Sequence, residues 1–172
     1  MKSMKNIALT AILSLGLFST VTITSCNRDE CKDVVCSNGG TCNETDGSCN
    51  CATGYEGTLC ETASRDKFTD TWSASDVTGS VNLVYSVTIA NGANVTDVII
   101  SNDFSDDFFD NSITATVDGD MITIPDQRPD GTLSDYRVSG TGTYNSAGEI
   151  SWNYTLTRIS TGVAQNYTGL WE

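Results

Sequence analysis

The sequence contains no histidine, and only two of its 172 residues are proline. Without histidine, Ser-His-Asp and Cys-His catalysis are excluded, together with the usual catalytic zinc sites. No glycine-rich phosphate loop follows an apolar segment. These absences predict a protein that is not an enzyme, with a hydrolase that uses aspartates alone as the less favoured alternative.

Positive charge is also scarce, because nine Lys and Arg stand against 22 Asp and Glu and give a net charge of -13. Two of the basic residues, Lys2 and Lys5, precede every acidic residue, so the rest of the chain is more acidic still. This charge argues against a nucleic-acid partner and against adhesion to anionic lipid through a basic patch. Any attachment to a membrane must therefore come from lipid.

Residues 1–25 have the three-part layout of a secretory signal peptide: a basic start, an apolar middle over residues 7–18, and an end rich in small hydroxyl residues. The apolar run is shorter than the roughly 20 residues that cross a bilayer as a helix. No later stretch is apolar enough to be a membrane-spanning helix.

The signal region ends in Ile23, Thr24, Ser25 and Cys26. These four residues resemble the lipobox of bacterial lipoproteins, whose cysteine thiol receives diacylglycerol before cleavage makes it the new N-terminus. The resemblance implies lipidation of Cys26, with palmitate among the expected acyl chains, and makes the lipid bilayer a partner. Several acyl chains anchor a protein firmly, since each buried methylene adds about 0.8 kcal/mol. We expect a lipoprotein of the outer membrane.

Six further cysteines lie within thirty residues, and in an exported chain such density indicates a disulfide scaffold: Cys31, Cys36, Cys42, Cys49, Cys51 and Cys60. So small a segment cannot bury enough apolar surface to fold on its own, and each short bridged loop contributes about 3 kcal/mol. Spacing alone leaves the pairing open. A zinc site is disfavoured because the chain has no histidine and no paired CxxC spacing.

Residues 36–42 (CSNGGTC) and 51–61 (CATGYEGTLCE) resemble the two halves of an EGF-like domain, which we place at residues 27–61. The resemblance implies the disulfides Cys31-Cys42, Cys36-Cys49 and Cys51-Cys60. Some EGF-like domains bind calcium, and Asn27, Asp29 and Glu30 resemble part of their ligand set. The part between the third and fourth cysteines is missing, because no aromatic residue stands there and Glu44 replaces the expected Asp or Asn. No cofactor is predicted, and calcium at these three residues is a minor alternative.

Residues 27–30 also resemble the short charged stretch that directs some Gram-negative lipoproteins to the outer face of the cell. A solvated spacer is an equally good interpretation of the same four residues. Only these residues separate Cys26 from Cys31, so the EGF-like module is expected to stand directly on the membrane.

After a predicted polar linker at residues 62–67, hydrophobic and polar residues alternate with a period of two, which is typical of strands with one buried face. Turn pairs such as Asn91-Gly92 and Asp118-Gly119 divide residues 68–172 at short intervals. We predict a mainly β protein in which this domain is an antiparallel eight-stranded meander, closed into a barrel or folded as a sandwich. Pro125 and Pro129 are expected to bracket a loop. The strands are predicted near residues 69–77, 81–90, 95–101, 112–117, 120–125, 134–144, 149–158 and 164–171.

Residues 68–72 (FTDTW) resemble the start of the lipocalins, whose first strand carries a glycine two positions before a tryptophan. Here the tryptophan is Trp72, and Asp70 stands at the glycine position. The resemblance covers only these residues. It implies an up-and-down barrel and raises the alternative of a carrier whose interior holds a small apolar ligand.

The densest acidic run is SNDFSDDFFDN, with carboxylates at Asp103, Asp106, Asp107 and Asp110. It lacks the glycine and spacing of a calcium loop, so we expect a solvated loop whose phenylalanines cover one end of the barrel. Trp72, Trp152 and Trp171 are expected in the core, with a sugar-stacking surface as the alternative. The leading hypothesis is a non-enzymatic surface lipoprotein whose EGF-like spacer presents the β-domain to a surface protein or a glycan.

Overall fold

The computed structural model describes residues 30–101 and 103–172. The predicted signal peptide, the lipidation site Cys26, and Asn27 and Asp29 of the calcium alternative lie outside these residues. The described chain is mainly β, as predicted, and consists of a small disulfide-linked module followed by a closed barrel. In the described part, no helix has the length and apolar character needed to cross a membrane.

The N-terminal module has two short hairpins, in which β1 (Thr41–Cys42) pairs with β2 (Cys49–Asn50) and β3 (Tyr55–Glu56) pairs with β4 (Thr62–Ala63). Two disulfides connect the segment before β1 to the first hairpin, and the third bridges the chain on the two sides of β3. Their pairs are those that the EGF-like resemblance implies: Cys31–Cys42, Cys36–Cys49 and Cys51–Cys60.

The barrel contains all eight predicted strands, each within about three residues of its expected bounds. Each strand is antiparallel to the next, and the last pairs with the first, so the sheet closes as a barrel rather than opening as a sandwich. The strands are β5 (Thr71–Thr78), β6 (Val81–Asn91), β7 (Asp97–Ile100), β8 (Ile113–Asp118), β9 (Met121–Gln127), β10 (Tyr136–Tyr144), β11 (Ile150–Arg158) and β12 (Ala164–Trp171).

Large aromatic side chains fill the barrel because two glycines of β10 leave them room. A Cβ at Gly142 would lie 2.9 Å from the Trp152 ring, and one at Gly140 would overlap the Cβ of Tyr154. Trp152 and Tyr154 face these glycines across the β10–β11 pair. The alternation of small and large residues at facing positions is how a narrow barrel is packed without voids.

Pro125 corrects one prediction, because it lies inside β9 rather than at the edge of a loop. The pairing of β9 with β10 shifts register there: Gly140 pairs with Ile124, but Val138 pairs with Gln127. A bulge leaves a residue without a ladder hydrogen bond, so a proline, which has no N–H to donate, is tolerated within the strand.

The segment predicted as a linker is folded against both of its neighbours. Its first residues form β4, and Ser64–Lys67 forms a 3₁₀ turn in which Ser64 is buried. The Lys67 ammonium binds Glu56 of the module at 2.7 Å and Asp120 of the barrel at 2.6 Å. Burial lowers the pKa of Lys67, but the hydrogen bonds with Asp120 and Glu56 outweigh it and the pKa is raised. The polar residues of this segment therefore connect the module to the barrel.

The contact between the module and the barrel, here called the joint, also includes the β6–β7 hairpin loop of the barrel. Arg65 Nη1 lies 2.6 Å from the carbonyl oxygen of Asn94 and within 3.3 Å of those of Gly92 and Asp97. Gly54 of the module packs against Val95 in the same loop, and a Cβ there would lie 2.7 Å from the valine Cγ1. With φ at +87° as well, position 54 accepts only glycine without strain.

Candidate binding site at the distal end of the barrel

The disulfide module covers one end of the barrel, which leaves the opposite end, here called the distal end, for function. Three loops meet at the distal end, at residues 103–112, 128–135 and 159–163, together with the tight turn between β5 and β6. The first of these loops contains the acidic run. Each of these loops connects a strand that runs away from the module to one that runs back toward it, so the loops lie farthest from the module.

The first loop closes the distal end by inserting phenylalanines into the barrel. Phe104 and Phe109 are almost completely buried, whereas Phe108, the third phenylalanine expected to cover this end, is 38% exposed. Phe104 packs on Tyr154 at 4.8 Å between ring centroids and on Trp171 at 5.9 Å. The interior is therefore filled by protein side chains, and a small apolar ligand would have to displace Phe104 to enter.

Within the part of the chain that the structure describes, one carboxylate, Asp76, lies in this aromatic interior and is fully buried. It accepts hydrogen bonds from the Tyr85 hydroxyl, from the Tyr154 hydroxyl at 2.7 Å and from the Trp171 indole N–H at 3.0 Å. Ser105 of the first loop lies 3.2 Å from the same Tyr154 hydroxyl and links the loop to the cluster. Three donors satisfy a charge that would otherwise be costly to bury.

The two tyrosines are held in their neutral, donating form. Burial, followed by the negative charge of Asp76, raises the pKa of Tyr85. Burial, followed by the proximity of Tyr85 and Asp76, raises the pKa of Tyr154. Gly169 completes the cluster, because a Cβ at that position would overlap the Asp76 carboxylate. The Asp76 carboxylate is thus a hydrogen-bond acceptor inside the barrel whose donors all belong to the protein itself.

Two aspartates tie the distal loops to one another. Asp130 is buried and accepts hydrogen bonds from the backbone N–H of Asn111 at 2.9 Å and from its side chain at 3.1 Å, which joins the second loop to the first. Asp135 joins the second loop to the third, since it accepts from Arg158 Nε at 2.9 Å and from the N–H of Ser160 at 3.0 Å. Hydrogen bonds from Ser160 and then Arg158 lower the pKa of Asp135. The loops are thus pre-ordered.

A pocket of about 280 Å³ opens between the first and third loops. The Phe108 and Tyr136 rings meet edge to face at 4.9 Å on one side, and the Arg158 guanidinium lies 6.0 Å from the Tyr136 ring centroid. Only Nε of Arg158 has a partner among the described residues, so its two terminal nitrogens are available. The full lining is Phe108, Tyr136, Leu156, Arg158, Thr161, Val163 and Gln165.

Exposed apolar side chains lie on all three distal loops, and two of them, Phe108 and Val163, line this pocket. Leu133 is 87% exposed, Val163 64%, Ile159 42% and Phe108 38%. We call these four residues the distal patch. Exposed apolar side chains at the end of a domain that also carries a pocket are typical of a surface that binds another molecule.

The other predicted sites are distributed differently. Trp72, Trp152 and Trp171 are core residues and form no exposed sugar-stacking surface. The acidic run lies between β7 and β8, where Phe104–Asp107 forms a short helical turn that no helical period in the sequence predicted, and Asp103, Asp106 and Asp110 are exposed. Of the calcium alternative, only Glu30 is described, and it is exposed; no group of three metal-ligating side chains occurs within residues 30–101 and 103–172. The two carboxylates buried in the described chain, Asp76 and Asp130, both serve as hydrogen-bond acceptors within the fold.

Sequence reasoning missed Asp76 and the two loop-tying aspartates. For Asp76 a signal existed, because Trp72, Ala74 and Asp76 alternate along one strand and must face the same side of the sheet. For Asp130 and Asp135 there was none, since their partners lie on other loops.

Comparison with known proteins adds no relative: no protein-family model, curated protein or solved structure matches the chain.

Proposed function

We propose that the protein is a non-enzymatic, cell-surface lipoprotein that binds a surface protein or a glycan through the distal end of its barrel. In this proposal acylated Cys26 anchors the chain in the outer membrane, and the EGF-like module acts as a spacer. The observation that supports it best is positional: the pocket and the distal patch lie at the end of the barrel opposite the module.

The joint between module and barrel supports the spacer role. Lys67 binds acidic groups on both bodies, and Arg65 binds the β6–β7 hairpin loop, so the module holds the barrel in one orientation. A disulfide-linked module followed by a fixed joint keeps the distal end away from the bilayer. The packed interior, with Phe104 inside the barrel, favours binding at the surface over carriage of an apolar ligand in the interior.

The test uses intact cells that produce the full chain. We expect the protein in the outer-membrane fraction, labelled by radioactive palmitate, and degraded by protease added outside the cells while a periplasmic marker survives. A Cys26→Ser variant should lose both the label and the membrane association. Survival of the wild-type chain under conditions that degrade a known surface protein would show that it faces the periplasm and would overturn the proposal of surface display.

A further inference from the structure

The distal patch gives the proposed binding function a more definite partner. We infer that it binds a cationic protein segment, with an apolar side chain of that segment inserted into the pocket beside Phe108 and Val163. This inference rests on the proposed function and deepens it. A protein segment is favoured over a glycan because the rim is largely aliphatic, whereas sugar sites depend on open aromatic faces and polar groups.

The size and composition of the pocket fit an apolar anchor. Its volume of about 280 Å³ suits one large side chain, and Leu156 is a buried apolar residue in its lining. Phe108, Tyr136 and Arg158 belong to the residue types that most often dominate protein interfaces when they surround such an anchor. The terminal nitrogens of Arg158 can donate hydrogen bonds to backbone carbonyls of the inserted segment.

The charge of the distal end determines the charge of the partner. Residues 68–172 contain only three basic side chains, and each already has a partner: Arg128 with Ser134, Arg137 with Asp126 and Arg158 with Asp135. The carboxylates of Asp106 and Asp110, on either side of Phe108 in the chain, are exposed and form no ion pair within the described residues. A segment with Lys or Arg beside its anchor complements them.

The pre-ordered loops make such a surface effective. Asp130 and Asp135 connect the three loops that carry the distal patch, so little conformational entropy is lost when a partner binds. The distal end is also free of the module, which occupies the other end of the barrel.

The experiment measures the binding of three fluorescent peptides to the full, lipidated chain in nanodiscs of zwitterionic lipid, with empty nanodiscs as the baseline. The probe is Gly-Lys-Lys-Trp-Lys-Lys-Gly. One control peptide replaces Trp by Ala, and the other replaces every Lys by Glu. We expect both controls to bind at least about ten-fold more weakly than the probe, because the first lacks the anchor and the second is repelled.

Matched variants of the protein locate the site. The double variant Leu133→Ser/Val163→Ser should weaken probe binding about ten-fold. The control Val84→Ser/Met121→Ser removes two side chains of comparable exposure, 68% and 51%, from outside the distal loops and should change binding less than about two-fold. Likewise Asp106→Asn/Asp110→Asn should weaken binding more than Asp66→Asn/Asp118→Asn, which removes the same charge elsewhere. Thermal unfolding of each variant checks that it is folded.

Equal effects of the distal and control variants would reduce the binding to general attraction by an acidic protein and overturn the inference. Equal binding of the Trp and Ala peptides would also overturn it. So would binding of a neutral glycan that the variant Leu133→Ser/Val163→Ser abolishes but that the probe peptide does not displace. Each of these results is separate from surface display: a chain that protease degrades on intact cells but that fails with the peptides refutes this partner alone.

Discussion

Asp76 and Tyr154 are 78 positions apart in the chain, yet the tyrosine hydroxyl donates a hydrogen bond of 2.7 Å to the aspartate inside the barrel. Tyr85 and Trp171 donate to the same carboxylate from the two strands that flank β5. One buried acceptor therefore connects β5, β6, β11 and β12 around the point where the barrel closes.

Replacing Asp76 with Ala should destabilise the barrel by about 3 kcal/mol, because the buried donors of Tyr154 and Trp171 and the partly buried Tyr85 hydroxyl lose their acceptor. Urea unfolding of the purified protein, followed by tryptophan fluorescence, measures this loss. Asp118→Ala is the control, since that side chain is exposed at the end of β8 and its removal should cost less than about 0.5 kcal/mol. Equal stability of the two variants would mean that the buried cluster contributes nothing net.

A double-mutant cycle with Gly169 tests whether the loss arises at the carboxylate. Gly169→Ala alone should destabilise the protein by about 1–3 kcal/mol, because its Cβ overlaps the Asp76 side chain. In the Asp76→Ala background the same change should cost at least about 1 kcal/mol less. Additive losses would contradict the close approach of these two residues.

The contacts of the joint predict that the connection between module and barrel is rigid. Arg65→Ala removes the guanidinium that binds the carbonyls of the β6–β7 hairpin loop, so the 3₁₀ turn should open and trypsin should cleave after Lys67. The rate of cleavage between module and barrel, followed by mass spectrometry, measures this opening. Arg137→Ala is the control, because it removes an exposed ion pair on the barrel wall. Similar cleavage rates for the wild type and Arg65→Ala would show that the joint does not depend on this side chain.

The raised pKa values of Tyr85 and Tyr154 predict a loss of stability in alkali. Unfolded tyrosines titrate near 10.0, whereas the folded pair keeps its protons to higher pH because of burial and the nearby Asp76 charge. The stability that these protons provide is complete below pH 10 and declines as pH rises toward the folded pKa, by about 1.4 kcal/mol per pH unit for each tyrosine.

Urea unfolding at several pH values above 10 gives this slope, and tyrosinate absorbance shows whether the two residues ionise before or with unfolding. Tyr85→Phe and Tyr154→Phe should each remove the contribution of one tyrosine, about 1.4 kcal/mol per pH unit, from this slope. Ionisation of all six tyrosines of the folded protein at the ordinary pKa would contradict the prediction.

Much of the fold follows from local sequence patterns. Alternation such as Ile150, Trp152, Tyr154 and Leu156 specifies a strand with one buried face, and the turn pairs place the boundaries, because both depend on neighbouring residues only. The dense cysteines indicated a disulfide module, and the structure contains the three bridges that the EGF-like resemblance implies. Lipidation of Cys26 and outward display stay predictions from the sequence.

The tertiary structure decided what depends on distant partners. Closure as a barrel required β12 to pair with β5, which no local pattern specifies. The same closure buries Asp76 among Tyr85, Tyr154 and Trp171. A charged residue that local sequence would place at the surface is therefore buried in the core. Asp130 and Asp135 gained their roles only when separate loops met at the distal end. A sequence fixes which face of a strand is apolar, but hydrogen bonds between distant segments exist only after the sheet has closed around them.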